Sequence, residues 1–269
     1  MSDLIFEIEN NIAFIKLNRP ESLNAFSFEM IQDWISSLEE IRDNENINVG
    51  VITGNGKAFC AGGDVKSMIA EEGFMKQSQS EKFDFNSKPI NTKDSLWKHI
   101  QKIPLLMQEI DKPMIASING SAIGAGLDMA LMCDYRICSN EANLGEGYIN
   151  VGIVPGDGGA YFLPRLINID KALELLWTGD IITAKEAKEI GLVSQVVSHE
   201  DLDKETLKFA KKLANAPQIA LRMIKRSVYE SLTMTLKQSL DMVSSFMAIA
   251  VHHPEHQNII NDIKNKKQS

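Results

Sequence analysis

The stretch from Lys112 to Arg165, KPMIASINGSAIGAGLDMALMCDYRICSNEANLGEGYINVGIVPGDGGAYFLPR, decides the fold. An apolar, β-forming run at 114–118 is followed by a glycine-rich segment at 119–126 and a short amphipathic segment at 127–133. That order predicts a strand, a turn and a helix. Such a turn leaves backbone N–H groups unpaired at the start of a helix, where they favour a group that carries or develops negative charge.

A second segment upstream, KAFCAGGDV at 57–65, has the same arrangement of strand end, glycine turn and helix start. Neither segment matches a P-loop or a dinucleotide fingerprint, so a phosphate site is not indicated. Glycines also occur where a helix packs tightly on a strand, and this interpretation requires no ligand. Two such turns together, however, could direct two free N–H groups at one point, which is the geometry of an oxyanion hole.

The composition limits the class of protein and its partners. The chain has 269 residues, is 44% hydrophobic and 24% charged, and carries a net charge of -8. These values predict a globular protein of one large domain or a domain with an appendage, and they argue against a nucleic-acid partner. Three cysteines without CxxC spacing, no signal-peptide pattern and no apolar run of about 20 residues predict a cytoplasmic protein without a membrane partner. No metal-ligand spacing appears, and we expect no metal.

Periodicity predicts the elements around the central stretch. A hairpin is expected at 4–18, with Asn10 and Asn11 supplying left-handed turn residues. Polar residues 71–94 are interpreted as a mobile loop or lid, or else as an insertion without function. From residue 201 only helical patterns occur, which predicts a core domain at 1–200 and a helical region at 201–269. The other predicted elements are helices at 28–42, 95–110 (bent near Pro104) and 169–178, strands at 48–53 and 193–197, a capped helix after Ile182, and tail helices at 201–214, 217–231, 235–250 and 254–266.

The segments KAFCAGGDV, INGSAIGAGLDMALMCDYRI and GIVPGDGG together resemble the crotonase superfamily, the enoyl-CoA hydratase/isomerase proteins. The resemblance covers about residues 4–265. It implies an α/β, ClpP/crotonase-like spiral of ββα units with a C-terminal helical region that assembles trimers, often paired into hexamers. It also implies an acyl-CoA thioester as ligand, with coenzyme A as part of the substrate and no separate cofactor.

The same resemblance assigns the binding groups by motif position. The backbone N–H groups of Gly63 and Ala125 are expected to hold the thioester oxygen as an enolate forms. One oriented donor of this kind is worth ~10²–10³ in rate. The adenine pocket is expected along the backbone near Ala61, Asp64 and Val65.

The catalytic side chains depart from the family pattern. Hydratases that this sequence resembles place two glutamates where Asp128 and Tyr148 stand. Dienoyl-CoA isomerases share Asp128, but they carry Glu at the Tyr148 position and Asp at the Gly156 position. Methylmalonyl-CoA decarboxylase-like proteins share the tyrosine. The run YFLPR at 161–165 is similar to 3-hydroxyisobutyryl-CoA hydrolases, which keep that Glu and Asp.

Three acids are candidates to replace the missing pair. Asp128 is the first, with a helix-dipole role as its alternative. Glu146 is the second: in an extended 144–148 segment it projects to the same side as Tyr148, although it could also be a solvated acid. Asp157 is the third, and an acid in a glycine turn more often caps a helix or closes an Asx-turn. Tyr148 either orients the substrate or packs in the core.

These residues predict an enzyme that stabilises a thioester enolate, most simply an enoyl-CoA hydratase of fatty acid metabolism. Carboxyl groups in an apolar pocket have raised pKa values and suit the proton transfers that this chemistry needs. The alternatives are an enoyl- or dienoyl-CoA isomerase, a decarboxylase or hydrolase that uses Tyr148, and a CoA-thioester binding protein without catalysis.

Overall fold

The computed structural model of the chain describes residues 2–63 and 89–266. Asp64 and Val65, and residues 71–88 of the predicted lid, lie outside the described residues. The rest of that predicted lid is not a loop, because it forms the start of helix α2 (Pro89–Lys98).

Two sheets form the core of the described residues. The larger has six strands in the order β1-β2-β3-β5-β7-β10, and the smaller has four in the order β4-β6-β8-β9. Only the pairs β1–β2 and β8–β9 are antiparallel. The strands are β1 (Leu4–Glu9), β2 (Ile12–Leu17), β3 (Val49–Gly54), β4 (Ala58–Cys60), β5 (Met114–Ile118), β6 (Ser121–Ile123), β7 (Tyr135–Ser139), β8 (Asn143–Gly145), β9 (Ile181–Thr183) and β10 (Gln195–Val197).

Three strand pairs repeat the same path between the sheets. In β3–β4, β5–β6 and β7–β8 the first strand joins the six-stranded sheet and the second joins the four-stranded sheet. Neighbouring repeats pair in parallel in both sheets. The chain therefore follows the spiral of ββα units that the resemblance implies. The predicted turn at 119–126 is not continuous, because Ser121–Ile123 form the strand β6 before the helix begins.

The N-terminal hairpin is confirmed. β1 and β2 pair from Leu4↔Leu17 to Glu9↔Ile12, and Asn10 and Asn11 have φ values of +51° and +63°. Asparagine tolerates this left-handed conformation better than most residues, so the turn follows from its two residues.

The helices mostly follow the predicted pattern, with one change near Pro104. The predicted helix at 95–110 is divided in two, and the interruption precedes Lys102 instead of falling at the proline. Pro104 lies in the first turn of the second helix, where a missing N–H is tolerated. The helices are α1 (Phe28–Asp43), α2, α3 (Lys102–Glu109), α4 (Ala125–Leu131), α5 (Gly159–Leu166), α6 (Ile169–Thr178), α7 (Ala184–Glu189), α8 (Leu202–Ala214), α9 (Gln218–Ser231), α10 (Leu236–His252) and α11 (Pro254–Lys266).

Local capping explains where several helices begin. Ser27 accepts a hydrogen bond from the Met30 N–H at 3.0 Å and caps α1, as predicted. Thr183 and Glu186 form a reciprocal capping box at α7. Each such cap satisfies N–H groups that the first helical turn leaves without intrahelical partners.

The C-terminal helices differ in how they contact the sheets. Helix α8 packs on one face of the six-stranded sheet, burying Leu202, Ala210 and Ala214. Helices α9, α10 and α11 have no buried residues in the single chain. Helix α8, the first helix after residue 200, therefore packs as part of the core. The division of the chain at residue 200 stays a prediction. Among the described residues no helix combines the length and apolar character needed to cross a bilayer.

Candidate active site

Four polar side chains from three parts of the chain converge in the interior. Asp128 lies in α4, Glu146 and Tyr148 follow β8, and Asp157 precedes α5. Their exposed fractions are 0%, 1%, 9% and 7%, in that order. The structure therefore brings together all three candidate acids and the tyrosine. We call these four residues the carboxyl cluster.

The chain reaches the cluster through a turn after β8. The strand ends at Gly145, and Gly147 adopts φ +39°, in the left-handed region. A 3₁₀ turn begins at Tyr148. The condition of an extended 144–148 segment is therefore not met beyond Gly145, because a glycine at 147 permits a sharp change of direction.

The hydroxyl of Tyr148 lies between two carboxyl groups. It is 2.6 Å from Asp128 Oδ2 and 3.2 Å from Asp157 Oδ2. A phenol has one proton to donate, and an ionised carboxylate can only accept. Both hydrogen bonds are therefore made together only when one of the two carboxyl groups is protonated.

Gly159 allows the backbone to approach two of the acids. A Cβ atom built on Gly159 would lie inside contact distance of Asp128 Oδ1 and 2.8 Å from Glu146 Oε2. These two carboxyl groups therefore lie on the same side of the glycine, next to each other. The sequence marked only a glycine-dense turn here, and nothing in it indicated this contact.

Several oxygens of the cluster have no hydrogen-bond partner among the described residues. They are Asp128 Oδ1, both oxygens of Glu146, and Asp157 Oδ1. Buried polar atoms are usually hydrogen-bonded, and leaving one without a partner costs about 1–3 kcal/mol. The cluster therefore has free acceptor positions for donors from water or from a ligand.

Burial dominates the electrostatics of the cluster. It raises the pKa of Asp128, and the hydrogen bond from Tyr148 opposes this shift. Burial and then the charge of Asp128 raise the pKa of Glu146. Burial also raises the pKa of Asp157 to about 6. Within the described residues no salt bridge reaches these acids. The negative charge of the cluster is therefore limited by protonation of its carboxyl groups and not by a neighbouring Lys or Arg.

The two glycine turns contact each other beside the cluster. A Cβ atom on Gly62 would lie 3.0 Å from the backbone nitrogen of Ala125, and one on Gly126 would overlap the carbonyl oxygen of Cys60. Within the described residues, neither the N–H of Gly63 nor that of Ala125 donates a hydrogen bond. The geometry thus permits both groups to act as donors, and that role stays a prediction.

Asn24 holds the first of these turns in place, a role that no sequence pattern indicated. Its fully buried side-chain amide donates to the carbonyl oxygens of Ala58 at 2.8 Å and Asn55 at 3.0 Å. The neighbouring N–H of Ala61 donates to the Leu23 oxygen at 3.0 Å. The predicted adenine contact of Ala61 stays a prediction.

The raised pKa of Glu146 predicts how stability depends on pH. A carboxyl group whose pKa is higher in the folded state binds more protons there, so stability falls as pH rises above the ordinary Glu value of about 4.3. Replacing Glu146 by Gln removes this titration. We expect the stability of the variant relative to wild type to increase with pH, by at most about 1.4 kcal/mol per pH unit.

Thermal or urea unfolding from pH 5 to pH 9 measures this difference. Glu141→Gln is the matched control, because Glu141 is exposed on the surface. A difference between Glu146→Gln and wild type that stays constant across the range would contradict the raised pKa.

Comparisons with known proteins agree on one family. A family model described as enoyl-CoA hydratase/isomerase matches residues 7–268. The chain is 39% identical to the putative enoyl-CoA hydratase/isomerase YngF of Bacillus subtilis, over 88% of this chain and 85% of that protein. It is 32% identical to crotonyl-CoA hydratase of Syntrophomonas wolfei, over 89% and 86%. The crystal structure of enoyl-CoA hydratase from Bacillus anthracis superposes with a TM-score of 0.87 at 30% identity, covering 98% of this chain and 96% of that one.

Proposed function

The chain belongs to the enoyl-CoA hydratase/isomerase family, and from this we propose that it adds water across the double bond of a 2-enoyl-CoA thioester. One observation carries the choice of hydration. Asp128 and Glu146 are buried side by side against Gly159, with free oxygens and next to two contacting glycine turns. Hydration takes one proton from water and delivers another to carbon, and two adjacent carboxyl groups can perform these two transfers.

In this proposal the thioester oxygen accepts hydrogen bonds from the N–H groups of Gly63 and Ala125. Negative charge develops on that oxygen as water attacks C3, and oriented donors stabilise it. The water oxygen bonds to C3 while the water gives one proton to the carboxylate of Asp128. Glu146 gives its own proton to C2 of the enolate. The proton gained by Asp128 then passes to Glu146, which restores the starting state.

The electrostatics of the pair support this division of roles. Burial raises the pKa of both acids, and the charge of Asp128 raises that of Glu146 further. The hydrogen bond from Tyr148 favours the ionised form of Asp128. Two titrating groups whose environments separate their pKa values are suited to act as acid and base. Glu146 is therefore the proposed acid, and it supplies the carboxyl group that Tyr148 replaces in the family pattern.

The contacts of Tyr148 argue against the decarboxylase or hydrolase alternative. Its hydroxyl already lies between Asp128 and Asp157, and burial, followed by the charge of these acids, raises the pKa of the phenol far above its ordinary value. A substrate carboxylate at this point would meet three acids, and like charges repel. A phenol in this position neither binds an anionic substrate group nor acts as a phenolate nucleophile.

Turnover in deuterated water, followed by mass spectrometry, separates the possible reactions. We expect crotonyl-CoA to gain one D₂O molecule, with one deuterium on C2. Deuterium uptake without water addition would indicate isomerisation, and loss of carbon dioxide from a malonyl-type ester would indicate decarboxylation. Binding of CoA esters without any turnover would contradict the proposal and favour a binding protein.

We also propose that the chain assembles into a trimer or a dimer of trimers in the cytoplasm and serves fatty acid metabolism. Apolar side chains that remain exposed on α9 and α10 support an assembly, including Val228, Leu236, Leu240 and Met247. Three buried free thiols, Cys60, Cys133 and Cys138, are consistent with a reducing compartment. Light scattering of the purified protein measures the assembly, and a monomeric mass would contradict it.

A further inference from the structure

We infer that Tyr148 and Asp157 are positioning residues for the general base: the phenol hydroxyl, held between two carboxyl groups, sets the charge and the orientation of Asp128. This inference rests on the proposed function and extends it to Asp157 and to Tyr148, which stands where the resembled hydratases carry their second glutamate.

Hydrogen bonds connect Asp157, Tyr148 and Asp128, which lie on three separate segments of the chain. Asp157 Oδ2 lies 3.2 Å from the Tyr148 hydroxyl, which lies 2.6 Å from Asp128 Oδ2. The shorter distance is that of a charge-assisted O–H···O⁻ bond. Asp128 Oδ1 remains without a partner and lies on the side of Gly159 and Glu146. One oxygen of Asp128 is thus fixed by the tyrosine, and the other is free toward Glu146.

The proton count links Asp157 to Asp128. When Asp157 is ionised it competes with Asp128 for the single proton of the phenol. When Asp157 is protonated it can donate to the phenol oxygen, and the phenol then donates to Asp128 alone. The ionised form of Asp128 is therefore favoured whenever the Asp157 position is a neutral donor.

Few other titratable groups face Asp128 within the described residues. Glu146 and Tyr148 reach it from the turn after β8, and Asp157 from the loop before α5. The packed strand β4 contributes Cys60, whose pKa burial raises to about 12, so it stays neutral. On α5, Tyr161 and Arg165 lie on the exposed side. Among the described residues, the cluster alone therefore controls the charge of Asp128 at neutral pH.

Two substitutions are expected to move the pH profile in opposite directions. Asp157→Asn supplies a neutral donor to the phenol oxygen at every pH, so the phenol donates to Asp128 alone and the acidic limb of kcat/KM should shift to lower pH by about one unit. Tyr148→Phe removes the donor to Asp128, so the same limb should shift to higher pH by about one unit. A residue that only supports packing would lower the rate at every pH without moving the limb.

The double variant tests whether Asp157 acts through the tyrosine. In the Tyr148→Phe background, Asp157→Asn should shift the limb by much less than it does alone, because the connecting hydroxyl is gone. An equal shift in both backgrounds would show a bare charge effect and overturn the inference. Shifts of the acidic limb in the same direction in the two single variants, or no shift in either of them, would also overturn the inference. Tyr161→Phe, on the exposed side of α5, is the matched control.

An infrared titration of the carboxyl groups in the wild type, the two single variants and the double variant, without substrate, separates this inference from the proposed function. Opposite shifts of the cluster carboxyl bands in a protein that hydrates no acyl-CoA would support the inference and contradict the function. Hydration with an unmoved limb and unmoved bands would support the function and overturn the inference.

Discussion

Replacing Asp128 by Asn lowers kcat/KM for crotonyl-CoA by about 10²–10⁴-fold, the usual contribution of a positioned proton-transfer group. The amide keeps the shape of the side chain and can still accept from the Tyr148 hydroxyl. It cannot take a proton from water. The expected loss therefore falls on kcat, with a much smaller change in KM, since the thioester is held by backbone N–H groups in this account.

Steady-state rates of hydration measure this effect, and Asp170→Asn is the matched control because Asp170 is exposed on α6. Unfolding curves establish that the variant is folded. A variant that is folded and retains more than about a tenth of the wild-type kcat would be outside the range for a general base. Asp128 would then have only the helix-dipole role that its sequence position also permits.

Replacing Gly126 by Ala removes most of the activity and destabilises the fold. A Cβ atom at this position would overlap the carbonyl oxygen of Cys60 and lie 2.9 Å from the Cys60 Cβ. The obstacle is mostly backbone, so α4 must move away from β4. Overpacking of this kind typically costs about 1–3 kcal/mol. The same movement displaces the N–H of Ala125, and loss of one oxyanion donor costs about 10²–10³ in kcat.

Gly156→Ala is the control for this prediction, because among the described residues its Cβ would meet only Leu96, at 3.6 Å. We expect its free energy of unfolding to stay within about 1 kcal/mol of wild type, because the added methyl group makes only ordinary van der Waals contact. Urea unfolding and hydration rates are measured for both variants. A Gly126→Ala protein with wild-type stability and rate would contradict the close packing of α4 on β4.

Local rules predicted the parts of the fold that depend on a few neighbouring residues. The Asn10–Asn11 turn and the Ser27 cap follow from the conformations and hydrogen bonds of single side chains. The strands β4, β6 and β8 have three residues each, too few to show an alternating pattern. The repeated units also show no fixed period in the sequence, because their first strands begin at unequal spacings, at residues 49, 114 and 135.

The candidate site was predictable as a set of residues but not as an arrangement. Chemistry and motif position singled out Asp128, Glu146, Tyr148 and Asp157 from the sequence. Their contacts depend on three segments that meet only in the folded chain, and no local rule gives the 2.6 Å bond from Tyr148 to Asp128. Gly159 was not recognised, since its role is to be small where two carboxyl groups meet.

The most direct test of the account is the kcat of the Glu146→Gln protein for crotonyl-CoA hydration, compared with that of Tyr148→Phe. The proposed mechanism assigns the second carboxyl of the reaction to Glu146, two residues before the position where the resembled hydratases carry it. It predicts that Glu146→Gln loses about 10²–10⁴-fold in kcat, while Tyr148→Phe loses no more than about tenfold, the effect of a shift of one pH unit. A folded Glu146→Gln protein that hydrates crotonyl-CoA at nearly the wild-type rate would contradict the account.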